Sequence, residues 1–269
     1  MSEYLESAKK YKGYHYSVLT PEMMQYLHDR TLEMLRIIIP IFEANNIRYM
    51  ICGGTLLGAA TTNHFIPWDD DVDICILDED YNKMKECLDV SLPGWMALQQ
   101  RATENNYYHG WVKIRDTKSK VHPSEGLYQY NGVWIDLYKL TRIRGGCINY
   151  RVAKEHFDYL TRRYRGGGIS FLELIDRSIS NRLFTRIIKE GIKAVLNSDK
   201  SYRYVIWSAS KIVLDEDWLF PRKRYTFEGL ELYSFAYADK YLARHYGESF
   251  RELPPDELRR VGINRIEIF

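Results

Sequence analysis

No Cys-x-x-Cys pair occurs in this chain; its four cysteines, Cys52, Cys75, Cys87 and Cys147, are scattered along it. That spacing argues against a structural zinc site and against a disulfide framework. Cys52 and Cys75 sit inside apolar, strand-like runs, where cysteine acts as a small hydrophobe, so a reduced, cytoplasmic setting is expected. The segment from Met1 to Tyr16 lacks an apolar core of signal-peptide length, and no run is long enough to span a bilayer. Any membrane contact is therefore expected to be peripheral. An excess of one charge sign is missing too. The net charge is +2, too small to advertise a nucleic-acid partner. Internal repeats and low-complexity tracts are absent.

What is present is enough for a core. Hydrophobic residues make up 45% and charged residues 28% of 269 positions, which suits one large domain or a compact core with a helical appendage. The 22 Tyr and 6 Trp serve either as core or as lining for a nucleotide base or quaternary ammonium. Composition does not choose between them.

Residues 1–19 read as a polar arm. Thr20-Pro21-Glu22 is a helix start, with a hydroxyl cap, a first-turn proline and an acid near the positive end of the dipole. Apolar residues from Met23 to Ile39 keep helical spacing, and Pro40 is expected to bend or end that helix. Arg48–Cys52 reads as a short buried strand, Thr55–Ala60 as a helix start, Val72–Leu77 as a strand and Asp80–Leu88 as a helix. Trp111–Arg115 alternates like a half-buried strand, and Val133–Tyr138 is a further strand carrying one carboxylate. The basic tract Lys139–Arg165 reads either as a solvated Arg-rich face or as a surface for anionic lipid. Gly166-Gly167-Gly168 suggests a hinge or loop, and Phe171–Ser210 reads as helices. These shifts divide the chain into 1–19, a core over 20–150, and a mainly helical region over 151–269.

The chemistry concentrates in Gly53-Gly54-Thr55-Leu56-Leu57-Gly58-Ala59 and Phe65-Ile66-Pro67-Trp68-Asp69-Asp70-Asp71-Val72-Asp73. A glycine turn able to approach phosphate stands upstream of four carboxylates within five residues, which repel one another unless a cation neutralises them. Strand alternation sends Asp71 and Asp73 to one face, as two oxygen ligands for a hard divalent ion require. An isolated Asp-x-Asp would more simply be a solvated acidic turn; the glycine pair and buried strand favour a metal site. Asp136 is a third acid that could join them. Alone, it fits a loop cap or a partner for Arg115 as well.

This set resembles the nucleotidyltransferase superfamily and, more narrowly, the LicD family of phosphocholine transferases, to which fukutin-type ribitol-phosphate transferases are related. The matching blocks are Gly53–Ala59, Phe65–Ile74, Lys113-Ile114-Arg115-Asp116, Ile135-Asp136-Leu137, Phe227-Glu228-Gly229-Leu230, Tyr241-Leu242, Tyr246-Gly247 and Leu253-Pro254-Pro255. The resemblance implies an α/β (α+β) nucleotidyltransferase-like core, a small mixed sheet flanked by helices, and a mainly helical C-terminal region completing the domain. It implies Mg2+, or Mn2+ in its place, on Asp71, Asp73 and Asp136, and transfer of phosphocholine or a related phospho-alcohol from CDP-choline or another CDP-alcohol. The implied acceptor is a glycan hydroxyl, often lipid-linked and met at the inner face of the membrane.

Asp136 would also orient or deprotonate that hydroxyl. Gly53, Gly54 and Thr55 would hold phosphate oxygens, while Lys113 and Arg115 would bind phosphate or face solvent on an edge strand. Trp68 would stack on cytosine, contact choline or pack in the core, and Glu228 would line the acceptor pocket or be a surface acid. The sequence departs from the family's usual pattern at Ala60-Thr61-Thr62-Asn63-His64, where an arginine and a short basic stretch are expected. There His64 would either supply a donor or simply be a solvated loop histidine. Two rival functions share the core: NMP transfer from an NTP to a small molecule or RNA, and a non-catalytic binding protein.

Overall fold

A computed structural model describes residues 19–269 except 105, 123–127, 166–168, 197–200, 209–211, 256–258 and 260–261. The N-terminal arm and the triple glycine of the sequence reading lie outside the described residues, apart from Leu19. The chain opens with helix α1 (Pro21–Ala44), where the Thr20 hydroxyl accepts the Met23 amide at 3.3 Å. The helix runs on through Pro40 to Ala44. Pro40 and Arg36, whose carbonyl loses its partner, are both exposed, so water can solvate that carbonyl. Buried Ile38, Ile39 and Phe42 carry the helix past the proline.

The core follows in order: β1 (Tyr49–Ile51), α2 (Gly53–Thr61), β2 (Val72–Leu77), α3 (Asp78–Ser91), β3 (Met96–Gln99), β4 (Val112–Asp116), β5 (Ser119–His122) and β6 (Trp134–Arg144). Five strands lie in the order β1-β2-β6-β4-β3. The β2–β6 pair is parallel and the other pairs are antiparallel, so the sheet is mixed and flanked by helices. Val72, Ile74 and Ile76 of β2 alternate with Asp71 and Asp73. The apolar set is buried in one cluster with α1 and α3 residues such as Leu35, Phe42 and Met84. At the start of β2, strand alternation thus turns Val72 and Ile74 to the core and Asp71 and Asp73 to the opposite face. Farther along that face, Cys75 and Leu77 are again buried.

Beyond β6 come α4 (Ile148–Arg165), α5 (Phe171–Ser180) and α6 (Leu183–Leu196). Next are β7 (Tyr202–Ile206), β8 (Ile212–Asp215), α7 (Glu216–Leu219), β9 (Lys223–Phe227), β10 (Leu230–Ser234), α8 (Ala238–Tyr246) and β11 (Arg265–Ile268). The helical reading of Phe171–Ser210 therefore fails over Tyr202–Ile206. This strand pairs antiparallel with the second half of β6, from Leu140↔Ile206 to Arg144↔Tyr202. A tertiary partner eleven residues long decided that segment. The β9–β10 hairpin turns on Glu228 (φ 48°) and Gly229 (φ 74°), the twist-matched two-residue geometry.

One sequence expectation about cations changes here. Strand β4 is not half-buried: all five residues are buried because it lies between β3 and β6. The tract from Lys139 to Arg165 is largely engaged. Lys139 pairs with Asp78 at 3.0 Å, Lys154 with Asp158 at 2.6 Å and Arg142 with Glu216 at 3.4 Å. Arg162 binds Glu155 and the Tyr108 carbonyl, and Arg163 lies over the Tyr108 ring.

At the end of β4, fully buried Asp116 fastens α1 to the sheet. Its carboxylate accepts Arg30 at 3.0 Å and the Lys118 amide at 2.9 Å, while the Arg30 guanidinium stacks 3.8 Å over Trp95. Removing one member of such a pair leaves the other without its countercharge. Asp116→Ala is expected to lower stability by about 3 kcal/mol, read as an earlier urea midpoint with an unchanged slope.

Candidate metal and active site

Asp73 and Asp136 face each other as register partners across the parallel β2–β6 pair, and Asp71 sits two residues upstream of Asp73. Oxygen atoms of Asp71, Asp73 and Asp136 lie within 4.8 Å of one another, and Asp69, Asp70 and Asp71 satisfy the same limit. Like charges directly opposite on neighbouring strands repel, so this register is costly without a compensating cation.

The glycine pair makes the register sterically feasible. Gly53 has φ +53°, and a Cβ on it would stand 1.9 Å from Asp73 Oδ2. A Cβ on Gly54 would stand 2.1 Å from Asp69 Oδ2. The glycines thus leave room for carboxylates of the protein itself. Their donors are engaged nearby: the Gly53 amide donates to the Tyr241 hydroxyl at 2.9 Å, and the Gly54 amide supports Asp73. The Thr55 hydroxyl accepts the Asp73 amide at 2.9 Å. Gly53, Gly54 and Thr55, expected to cradle phosphate, are buried and organise the acids.

Asp136 is the most tightly held of the triad. Its Oδ1 accepts Trp111 Nε1 at 2.7 Å and lies 2.9 Å from Lys113 Nζ, and its Oδ2 accepts the Tyr138 hydroxyl at 3.2 Å. Asp71 Oδ2 accepts Trp134 Nε1 at 3.1 Å. Trp111, Trp134 and Tyr138 were missed as site residues by sequence reasoning. The signal was available, since Tyr138 is two residues from Asp136 and Trp111 two from Lys113, on the same faces of their strands.

Lys113 is buried in its ion pair with Asp136. Arg115 is fully buried as well, donating to Gln99 Oε1 at 2.8 Å and the Gly132 carbonyl at 2.9 Å, 5.0 Å from the centre of Trp134. Neither is a solvent-facing edge cation. Trp68 lies half-buried against a small apolar cluster, with Arg259 5.3 Å over its ring. Glu228 accepts the Phe65 amide at 2.8 Å and lies 3.3 Å from His64 Nδ1, while its own amide donates to the Asn63 carbonyl. It thereby ties the hairpin turn to the loop that leads into the acids.

Electrostatics point the same way as geometry. Burial, then the neighbouring Asp136 charge, pushes Asp73 up to about 7, with the Tyr138 hydroxyl, the Gly54 amide and Lys113 opposing. Asp71 and Asp69 are raised well above the usual carboxylate range, first by burial and then by Asp73. One lysine ammonium faces three converging carboxylates. An all-oxygen set of this kind fits a hard divalent cation such as Mg2+.

The mixed sheet with its converging carboxylates is similar to what a nucleotidyltransferase domain requires. Residues 46–164 match the family model described as LicD/FKTN/FKRP, nucleotidyltransferase domain. That match covers the α/β core and makes it similar to the LicD family. Ribitol 5-phosphate transferase FKRP of Mus musculus and that of Homo sapiens are each 43% identical over 54 residues, covering 20% of this chain and 11% of each relative. The uncharacterized protein RP689 of Rickettsia prowazekii is 28% identical over 141 residues, 46% of this chain and 50% of that protein. The chain thus spans from about a tenth to half of the length of these relatives.

Two outcomes are expected. Between about pH 4 and 7 the metal-free protein keeps a proton on Asp73 that the unfolded chain has lost, so its stability falls as pH rises through that window. A divalent cation such as Mg2+ binding there would have to displace this proton. Its stabilisation in a thermal melt should therefore be larger at pH 8 than at pH 6, and Asp73→Asn should remove most of that difference. Separately, Gly53→Ala should weaken Mg2+ binding by at least about tenfold, read by calorimetry, because the added carbon displaces the Asp73 carboxylate.

Proposed function

We propose that this chain transfers a phospho-alcohol, phosphocholine being the favoured case, from a CDP-activated donor to a hydroxyl of a cell-surface glycan, releasing CMP. The observation that carries this reading is the convergence of Asp71, Asp73 and Asp136, with Lys113 locked on Asp136, in a core similar to the LicD family. The donor and acceptor classes follow the family resemblance alone, while the similarity to ribitol 5-phosphate transferase FKRP supports transfer of a phospho-alcohol in general.

Asp71, Asp73 and Asp136 would hold Mg2+, or Mn2+ in its place. A divalent ion held by these three carboxylates would supply the positive charge that a donor diphosphate and a departing CMP need. The chain's own residues fix the frame. Trp111, Lys113 and Tyr138 restrain both oxygens of Asp136, so it is better placed as a ligand and orienting group than as a freely basic carboxylate. Trp134 restrains Asp71, and the Thr55 hydroxyl fixes the backbone at Asp73. In the reaction the acceptor hydroxyl oxygen bonds to the phosphorus bearing the alcohol, the bond from that phosphorus to the CMP oxygen breaks, and the hydroxyl proton leaves to solvent or a carboxylate. Such positioning and charge placement is what phosphoryl transfer asks of a protein.

The test is a donor screen with CDP-choline, CDP-ribitol and CDP-glycerol in the presence of Mg2+ and glycan acceptors, reading CMP. Release of CMP from one donor is expected, with Asp71→Asn and Asp73→Asn each losing at least about a thousandfold in kcat while keeping the wild-type circular dichroism. Asp136→Asn should lose donor affinity together with activity. Release of pyrophosphate from an NTP instead would assign the core to NMP transfer. Absence of Mg2+-dependent turnover with every donor would make the chain a binding protein.

A further inference from the structure

Helices α5 and α6 leave apolar side chains in water on a scale that folding does not require. On α5, Leu172 (77% exposed), Ile175 and Ile179 (68%) recur at helical spacing; on α6, Phe184, Ile188 (65%) and Ile192 do the same, and Val195 extends the line. Residues three and four apart share one helix face, so each set forms a stripe. Among the described residues, α5 buries only Ser178 and α6 only Leu183. Isolated exposed apolar residues need no account, but continuous stripes on two successive helices mark a contact surface.

The charges on α6 select the occupant. Its polar arc carries Arg186, Lys189 and Lys193 against Glu190 alone, and Glu190 is already paired with Lys193 at 3.0 Å. Arg182 precedes the helix and is exposed. An apolar stripe with a cationic polar arc is the pattern of a helix lying in the plane of an anionic lipid surface, its apolar side chains among the acyl chains. At fourteen residues α6 is too short to span, and no helix among the described residues is long and apolar enough to cross a membrane.

We infer that the α5–α6 pair docks this protein on the surface of an anionic membrane. The contact lies in these helices, whereas several cations of the preceding basic tract are tied up in ion pairs. This surface is separate from the acid cluster, so the inference stands or falls independently of the transferase reading.

Vesicle co-sedimentation of the full chain tests it. Wild-type protein should pellet with vesicles containing phosphatidylglycerol and remain largely in the supernatant with phosphatidylcholine alone, and added salt should weaken the pelleting. The double substitution Ile188→Glu with Ile192→Glu should reduce partition at least about tenfold. Arg186→Gln with Lys189→Gln should reduce it less and blunt the salt effect. Both variants alter exposed positions, and retention of the wild-type Mg2+ thermal shift verifies their fold. Equal recovery in the supernatant with both lipids overturns the inference. So does a concentration-dependent dimer, seen by sedimentation velocity and abolished by the isoleucine substitutions, in a protein that ignores vesicles; that result gives the face to a second copy of the chain.

Discussion

The pairing of Asp73 with Asp136 across the parallel β2–β6 ladder is the constraint around which the rest of the structure is arranged. Two carboxylates in register on adjacent strands are repulsive, and burial makes the repulsion worse. The surrounding parts act to make that pairing tolerable or useful. Gly53 and Gly54 remove the carbon atoms that would strike Asp73 and Asp69. Thr55 and Tyr241 occupy backbone groups beside them. Lys113, buried two strands away from Asp73, supplies an ammonium to Asp136. What remains is a net negative, oxygen-rich site, suited to a divalent ion.

The basic residues of β4 show how placement changes the meaning of a charge. On an edge strand Lys113 and Arg115 would be solvated, with ion pairs contributing little. Between β3 and β6 they are desolvated and must be fully partnered, Lys113 by Asp136 and Arg115 by Gln99 and the Gly132 carbonyl. Both also lie within about 5 Å of the Trp134 ring, whose face attracts cations. Trp134 in turn donates to Asp71. Positive charge, indole and carboxylate thus form one connected support beneath the site, and a change at any member alters the orientation of the acids.

The C-terminal segments contribute by reaching back. The β9–β10 turn places Glu228 on the Phe65 amide, and Gly262 donates to Asp70 at 2.8 Å. Ser234 of β10 donates to the Ile51 carbonyl at 2.6 Å, immediately before the glycine pair. The loop that carries the acids is therefore held from the far end of the chain. Precise carboxylate placement is what a metal-dependent site demands.

The sequence by itself determined the acid motif, the glycine pair and the strand that carries Asp71 and Asp73, because strand periodicity and steric demand are local properties. Val72–Leu77 reads as a strand from its own alternation, and the structure has it over those residues. Helix α1 could be read from its cap and spacing, though its passage through Pro40 depended on the packing of Ile38, Ile39 and Phe42. Only the tertiary structure decided that Asp136 stands opposite Asp73, since register between distant strands is not written in either one. It also decided that Lys113 and Arg115 are interior, that Tyr202–Ile206 is a strand, and that Glu228 fastens a loop. Each of these depends on a partner tens of residues or more away, and local propensity yields to such a partner when burial and hydrogen bonding favour it.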